Sequence, residues 1–164
     1  MSNVVSSTNV LETLIQLEQN GYKFYEEAAN AMEDGVTKNL LLKLAEDEKV
    51  HEKTYRELLE RQDDISDITF DEDESYLNLI VNLNAMVTDE GKLEKTKKVK
   101  SKREALLIAE KLEKDTIIFL NELVELDKDI KRNKAYKAAL KEEKNHLRQI
   151  LRRMMDENIG SLML

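Results

Sequence analysis

The chain has 164 residues, of which 37% are charged and 5% aromatic, with no tryptophan and a formal net charge of −8. That length can bury one continuous core, whereas the negative charge and the shortage of stacking side chains exclude a typical nucleic-acid surface. The absence of cysteine removes disulfides, thiolate metal sites, iron–sulfur clusters and thiol catalysis together.

No apolar run approaches a bilayer span, so no membrane partner is expected. The polar N-terminus lacks a signal-peptide pattern, and a cytoplasmic location follows as the default expectation. The chain has no proline, which favours long uninterrupted helices.

Residues 1–7 read as a frayed, Ser-rich start. Asn9 with Glu12 predicts a capping box opening helix A, about 9–33. Asp34-Gly35 is the stop, and helix B follows over about 37–61, antiparallel to helix A because the connection is tight. A crossover of about 62–100 comes next. It begins with an acidic linker (Asp63, Asp64, Asp67, Asp71 to Glu74) and holds apolar spacing for a short helix over 75–87. It ends in a basic run from Lys92 to Arg103, read as a solvated segment. Ser101 and Glu104 form a second capping box, opening helix C over about 102–127, and helix D spans about 132–157. The expected fold is all-α: two helical hairpins in one bundle domain over 1–164, joined by a long crossover.

The apolar stripes of these helices carry an anomaly. Helix B reads Leu41, Leu44, Glu48, His51, Tyr55, Leu58, with a carboxylate and an imidazole where the core should be. Helix D repeats it with Tyr136, Ala139, Glu143, His146, Ile150, and these are the two histidines of the chain. Upstream, Glu18 and Glu113 interrupt the stripes of helices A and C in the same way. Glu18 to Glu113, Glu48 to Glu143 and His51 to His146 are each separated by 95 positions. Leu17-Glu18-Gln19-Asn20-Gly21-Tyr22-Lys23-Phe24 aligns at that offset with Leu112-Glu113-Lys114-Asp115-Thr116-Ile117-Ile118-Phe119. The chain is therefore an internal repeat in which each hairpin contributes a Glu and a Glu-x-x-His. Four glutamates and two histidines would meet in one core layer, where two divalent cations balance four carboxylates. Carboxylates with one imidazole per ion suit iron or manganese.

This ligand pattern resembles the ferritin-like superfamily and, within it, the rubrerythrin family, over about residues 9–157. The resemblance implies a non-haem centre of two iron ions, with manganese as the variant. It implies Glu48 and Glu143 as bridging ligands and Glu18, His51, Glu113 and His146 as terminal ones. It further implies redox chemistry with peroxide or O2, association with oxidative stress, and pairing into a homodimer. Tyr25, or Tyr22, is placed to hydrogen-bond a ligand carboxylate or the oxidant. Two departures matter. Without cysteine there is no rubredoxin-type iron site, so electrons must come from another protein. Thr116 stands where rubrerythrins tend to carry an additional glutamate, which weighs against peroxidase activity of that kind. The alternatives are iron binding, ferroxidase or storage without turnover, and a metal-free helical interaction protein. Asp47, Glu52 and Glu142 read as solvent-facing charges.

Overall fold

A computed structural model describes residues 3–61, 66–70, 77, 79–80 and 99–158. Four long helices dominate it: α1 (Ser7–Asn30), α2 (Val36–Glu60), α3 (Lys102–Leu126) and α4 (Ile130–Asp156). They form a four-helix bundle. Helix α1 packs most extensively on α2, and α3 on α4, while α2 meets α4 and α1 meets α3 across the bundle. Two apolar clusters form the core, one towards each end. Leu11, Leu14, Tyr55, Phe119, Leu120 and Tyr136 belong to one, and Tyr25, Leu41, Leu44, Leu106 and Ile150 to the other. None of the described helices is long and apolar enough to cross a membrane.

The helix starts follow from local hydrogen bonding. Ser101 Oγ accepts from the Glu104 N–H at 3.1 Å, and the Glu104 carboxylate reaches back to the Lys100 N–H at 2.8 Å. These bonds satisfy amides left without intrahelical partners. Asp129 caps α4 by accepting from the Arg132 N–H at 2.8 Å. Helix α1 opens earlier than its Asn9–Glu12 pattern predicts. Ser6 is the N-cap and accepts from the Asn9 N–H, while the Asn9 carbonyl is already inside the helix and accepts from the Thr13 hydroxyl at 2.8 Å.

The N-terminal stretch is also more ordered than a frayed start. Strand β1 (Asn3–Val5) pairs antiparallel with β2 (Ile68–Phe70), with Val5 opposite Ile68. Both of those side chains are buried in the first apolar cluster. The acidic linker thus contains a strand anchored by one isoleucine, too short to register as a period-two pattern. Leu77, Leu79 and Ile80 lie in helical backbone, and Leu77 is fully buried. The rest of the expected 75–87 helix, Lys92 to Lys98 of the basic run and the tail from residue 159 lie outside the described residues.

The turn between α3 and α4 is built around a buried ion pair. Arg132 donates to Asp127 through Nε at 2.6 Å and Nη2 at 2.9 Å, and its Nη2 also reaches the Ser66 carbonyl at 3.0 Å. Asn133 closes the turn by donating to the carbonyls of Val124 and Asp127. One guanidinium therefore ties the crossover to the hairpin beside it. Removing either member leaves a buried charge alone, which costs about 3–5 kcal/mol. Asp127→Ala is expected to lower the unfolding free energy by that order in urea titrations, while the double replacement Asp127→Leu/Arg132→Met loses clearly less.

Candidate metal centre

Each of the six polar residues that interrupt the apolar stripes is at least nine-tenths buried: Glu18, Glu48, His51, Glu113, Glu143 and His146. Helical periodicity puts Glu48 and His51 on one face of α2, and Glu143 and His146 on one face of α4. Packing then brings both faces against Glu18 from α1 and Glu113 from α3. The donor atoms fall into two groups, each within 4.8 Å throughout: Glu18, Glu48, His51 and Glu143 form one, and Glu48, Glu113, Glu143 and His146 the other. Glu48 and Glu143 are common to both. The imidazole rings stack at a centroid separation of 5.8 Å and an interplanar angle of 29°.

Both histidines present Nδ1 to the cluster and Nε2 away from it. His51 Nδ1 lies 2.7 Å from Glu143 Oε1 and 3.6 Å from Glu18 Oε2. His146 Nδ1 lies 3.1 Å from Glu143 Oε2 and 3.8 Å from Glu113 Oε2. Their outer nitrogens cross the α2–α4 interface. His51 Nε2 meets Glu142 at 2.8 Å, and His146 Nε2 meets Asp47 at 3.2 Å. Asp47 and Glu142 are thus not simply solvent-facing, although their side chains remain 34% and 58% exposed. They fix which ring nitrogen faces inward, as the outer carboxylates of metal-binding histidines do. The repeat holds the missed signal, because Asp47 and Glu142 are themselves 95 positions apart.

Around the cluster the remaining candidates separate. The Tyr25 hydroxyl donates to Glu113 Oε1 in a short, buried hydrogen bond. Tyr22 turns outward to Glu26 at 2.8 Å, with the Lys49 ammonium over its ring. Glu110 is buried but ion-paired with Lys114, and Glu52 is bonded to Gln19 and Arg56. Neither belongs to either donor group.

The electrostatics are those of a crowded anionic site. Burial, then repulsion by Glu48, raises Glu18 well above the usual carboxylate range. Burial likewise raises Glu113, against the pull of His146. Burial also pushes Glu143 up, but its contacts with His146 and His51 outweigh it and hold this carboxyl below the usual range. Burial disfavours the His146 imidazolium, yet Glu113 and Glu143 overcome that penalty and bring it up to about 10. Without cations, protons held on these groups offset part of the crowded negative charge.

Three donor atoms test whether cations fit better. Glu18 Oε1, His51 Nδ1 and Glu143 Oε1 are buried without a hydrogen-bond partner. The 2.7 Å approach of His51 Nδ1 to Glu143 Oε1 is not aligned as a hydrogen bond. Buried polar atoms without partners are rare in folded proteins. All three belong to the group of Glu18, Glu48, His51 and Glu143, where donor atoms converging without partners are what a coordinated ion requires; in the other group His146 Nδ1 pairs with Glu143 Oε2, and its donor set of three carboxylates and one imidazole likewise suits a divalent cation.

A rubrerythrin family profile matches residues 9–155. The chain belongs to the rubrerythrin family. A crystal structure described as that of a ferritin-like diiron-carboxylate protein from Thermotoga maritima is similar, with a TM-score of 0.67 and 26% identity. The match covers 95% of this chain and 98% of that one. A search of curated proteins finds no match. Family, fold and the carboxylate–imidazole cluster together support a non-haem di-iron protein.

The proton count gives a testable pH dependence. His146 holds its proton more tightly folded than unfolded, so its contribution to stability is complete below its ordinary value of 6.5 and is lost as pH rises towards about 10. The raised carboxyls Glu18 and Glu113 act in the same direction. Thermal melts of the metal-free protein are expected to show a falling Tm across that window, whereas a flat or rising Tm would contradict the assignment of charge.

Proposed function

We propose that the six side chains hold two iron ions and that the protein uses them for redox chemistry with hydrogen peroxide or O2, taking electrons from a separate donor protein. The observation that carries this reading is the pair of four-residue donor groups sharing Glu48 and Glu143, with unpartnered buried donor atoms in the group that holds Glu18 and His51. Glu18 and His51 would hold one ion and Glu113 and His146 the other, with Glu48 and Glu143 available to both. Manganese is compatible with the same donors.

The bound pair supplies two electrons, which with two protons reduce hydrogen peroxide to two molecules of water. The chain's own residues do the rest. The four carboxylates set a charge that two divalent cations neutralise. Asp47 and Glu142 hold the imidazoles with Nδ1 inward. Tyr25 fixes the rotamer of Glu113 and brings a phenolic proton to within one hydrogen bond of a terminal ligand. The fully buried Leu14 and Leu44, one turn before Glu18 and Glu48 on their helices, and Leu120, two turns after Glu113, exclude bulk water along the bundle axis. The chain contains no cysteine, so it carries no thiolate-ligated iron to relay electrons.

Metal analysis of anaerobically loaded protein, followed by stopped-flow mixing with peroxide or O2, tests the reading. About two irons per chain are expected, with loss of both in His51→Ala/His146→Ala and oxidation by peroxide in the parent. Iron retained without sustained peroxide consumption would point to iron handling instead, and a protein that binds no metal would refute the proposal. The outer carboxylates give a graded check. Asp47→Asn and Glu142→Gln are each expected to weaken metal binding about 10–100-fold, read by competition with a chelator.

A further inference from the structure

A narrow cleft of about 90 Å³ runs between α1 and α3 to the edge of the cluster. Its walls are three pairs of residues related by the internal repeat, each pair 95 positions apart: Leu17 with Leu112, Asn20 with Asp115, and Gly21 with Thr116. The cleft therefore straddles the axis that relates the two hairpins. Asn20, Asp115 and Thr116 are half-buried and form the outer rim, and the floor is Glu48, Glu113 and Tyr25.

Gly21 explains why the passage stays open. It sits inside α1, where glycine weakens a helix relative to alanine. A Cβ there would already stand 3.5 Å from Cγ and Cδ of Glu48, so any longer side chain would fill the space over that carboxylate or press on it. The cleft is also far smaller than the roughly 300–1,000 Å³ of sites that enclose organic ligands. Its floor is carboxylate and phenol, which suits a small, hydrogen-bonding molecule.

We propose that this cleft, kept open by Gly21, is the path by which oxidant reaches the cluster, and that the gap between Leu17, Leu112 and Thr116 admits hydrogen peroxide or O2 and rejects organic hydroperoxides. The proposal rests on the di-metal reading above. Hydrogen peroxide can donate its O–H groups to the Glu48 and Glu113 carboxylates with no substituent to accommodate, whereas the butyl group of tert-butyl hydroperoxide meets the Leu17 and Leu112 walls.

The test uses the iron-loaded full chain with three variants. Gly21→Leu fills the cleft from α1, above Glu48, and Thr116→Leu fills it from α3. Thr116→Gly widens it. Thr116→Leu is expected to keep the parent's iron stoichiometry, and both leucine variants to slow oxidation of the iron they hold by hydrogen peroxide roughly tenfold or more and to weaken azide binding to the oxidised protein by a similar factor. Thr116→Gly is expected to raise the rate with tert-butyl hydroperoxide, relative to hydrogen peroxide, by roughly tenfold. Normal iron content with parental azide affinity and peroxide rates in both leucine variants would overturn the cleft as the path. Equal parental rates with the two peroxides would overturn the size restriction. Absence of iron binding in the parent would instead strike the di-metal reading itself.

Discussion

Four carboxylates and two imidazoles share one buried layer of a helical bundle, and the rest of the structure answers to that fact. Isolated charges in such a place are strongly unfavourable, and like charges crowded together more so. The metal-free chain relieves the strain with protons, raising Glu18, Glu113 and His146 while keeping Glu143 ionised between two imidazoles. That arrangement still leaves three donor atoms without partners. Cations remove both problems at once, because they replace protons as counter-charge and occupy the point on which the lone pairs converge.

The surrounding architecture holds this layer in register. Apolar clusters lie on either side of it, so the polar groups are bracketed along the bundle axis by well-packed leucines and aromatics. The reciprocal contacts of His51 with Glu142 and His146 with Asp47 join α2 to α4, each helix orienting the other's imidazole. At the far end, the Asp127–Arg132 pair fastens the crossover, through Ser66, to the α3–α4 turn. The face between α1 and α3 is the open side, where Gly21 leaves space over Glu48.

Much of this was legible in the sequence because a buried polar residue on an apolar stripe is conspicuous, and because the anomaly occurs twice at one offset. Periodicity alone locates four helices, and the offset picks Glu113 over Glu110, which the structure ties to Lys114 away from the cluster. The outer carboxylates were harder to see. Asp47 and Glu142 sit in charge-rich, partly exposed text, and only their contact across two helices separates them from ordinary surface acids. The β1–β2 pairing escaped for a different reason. Three-residue strands carry too few side chains to express a period, and their partner lies beyond an entire helical hairpin in sequence. Asp127 carries no sign of burial in the sequence, because its burial depends on Arg132, five residues later and on the next helix.

The central claim concerns the location of two cations, so anomalous diffraction at the iron edge from anaerobically loaded crystals addresses it most directly. The account predicts two anomalous peaks in the buried layer, both adjoining Glu48 and Glu143, one beside His51 and the other beside His146. Iron found only at surface carboxylates, with the six side chains paired among themselves, would contradict it.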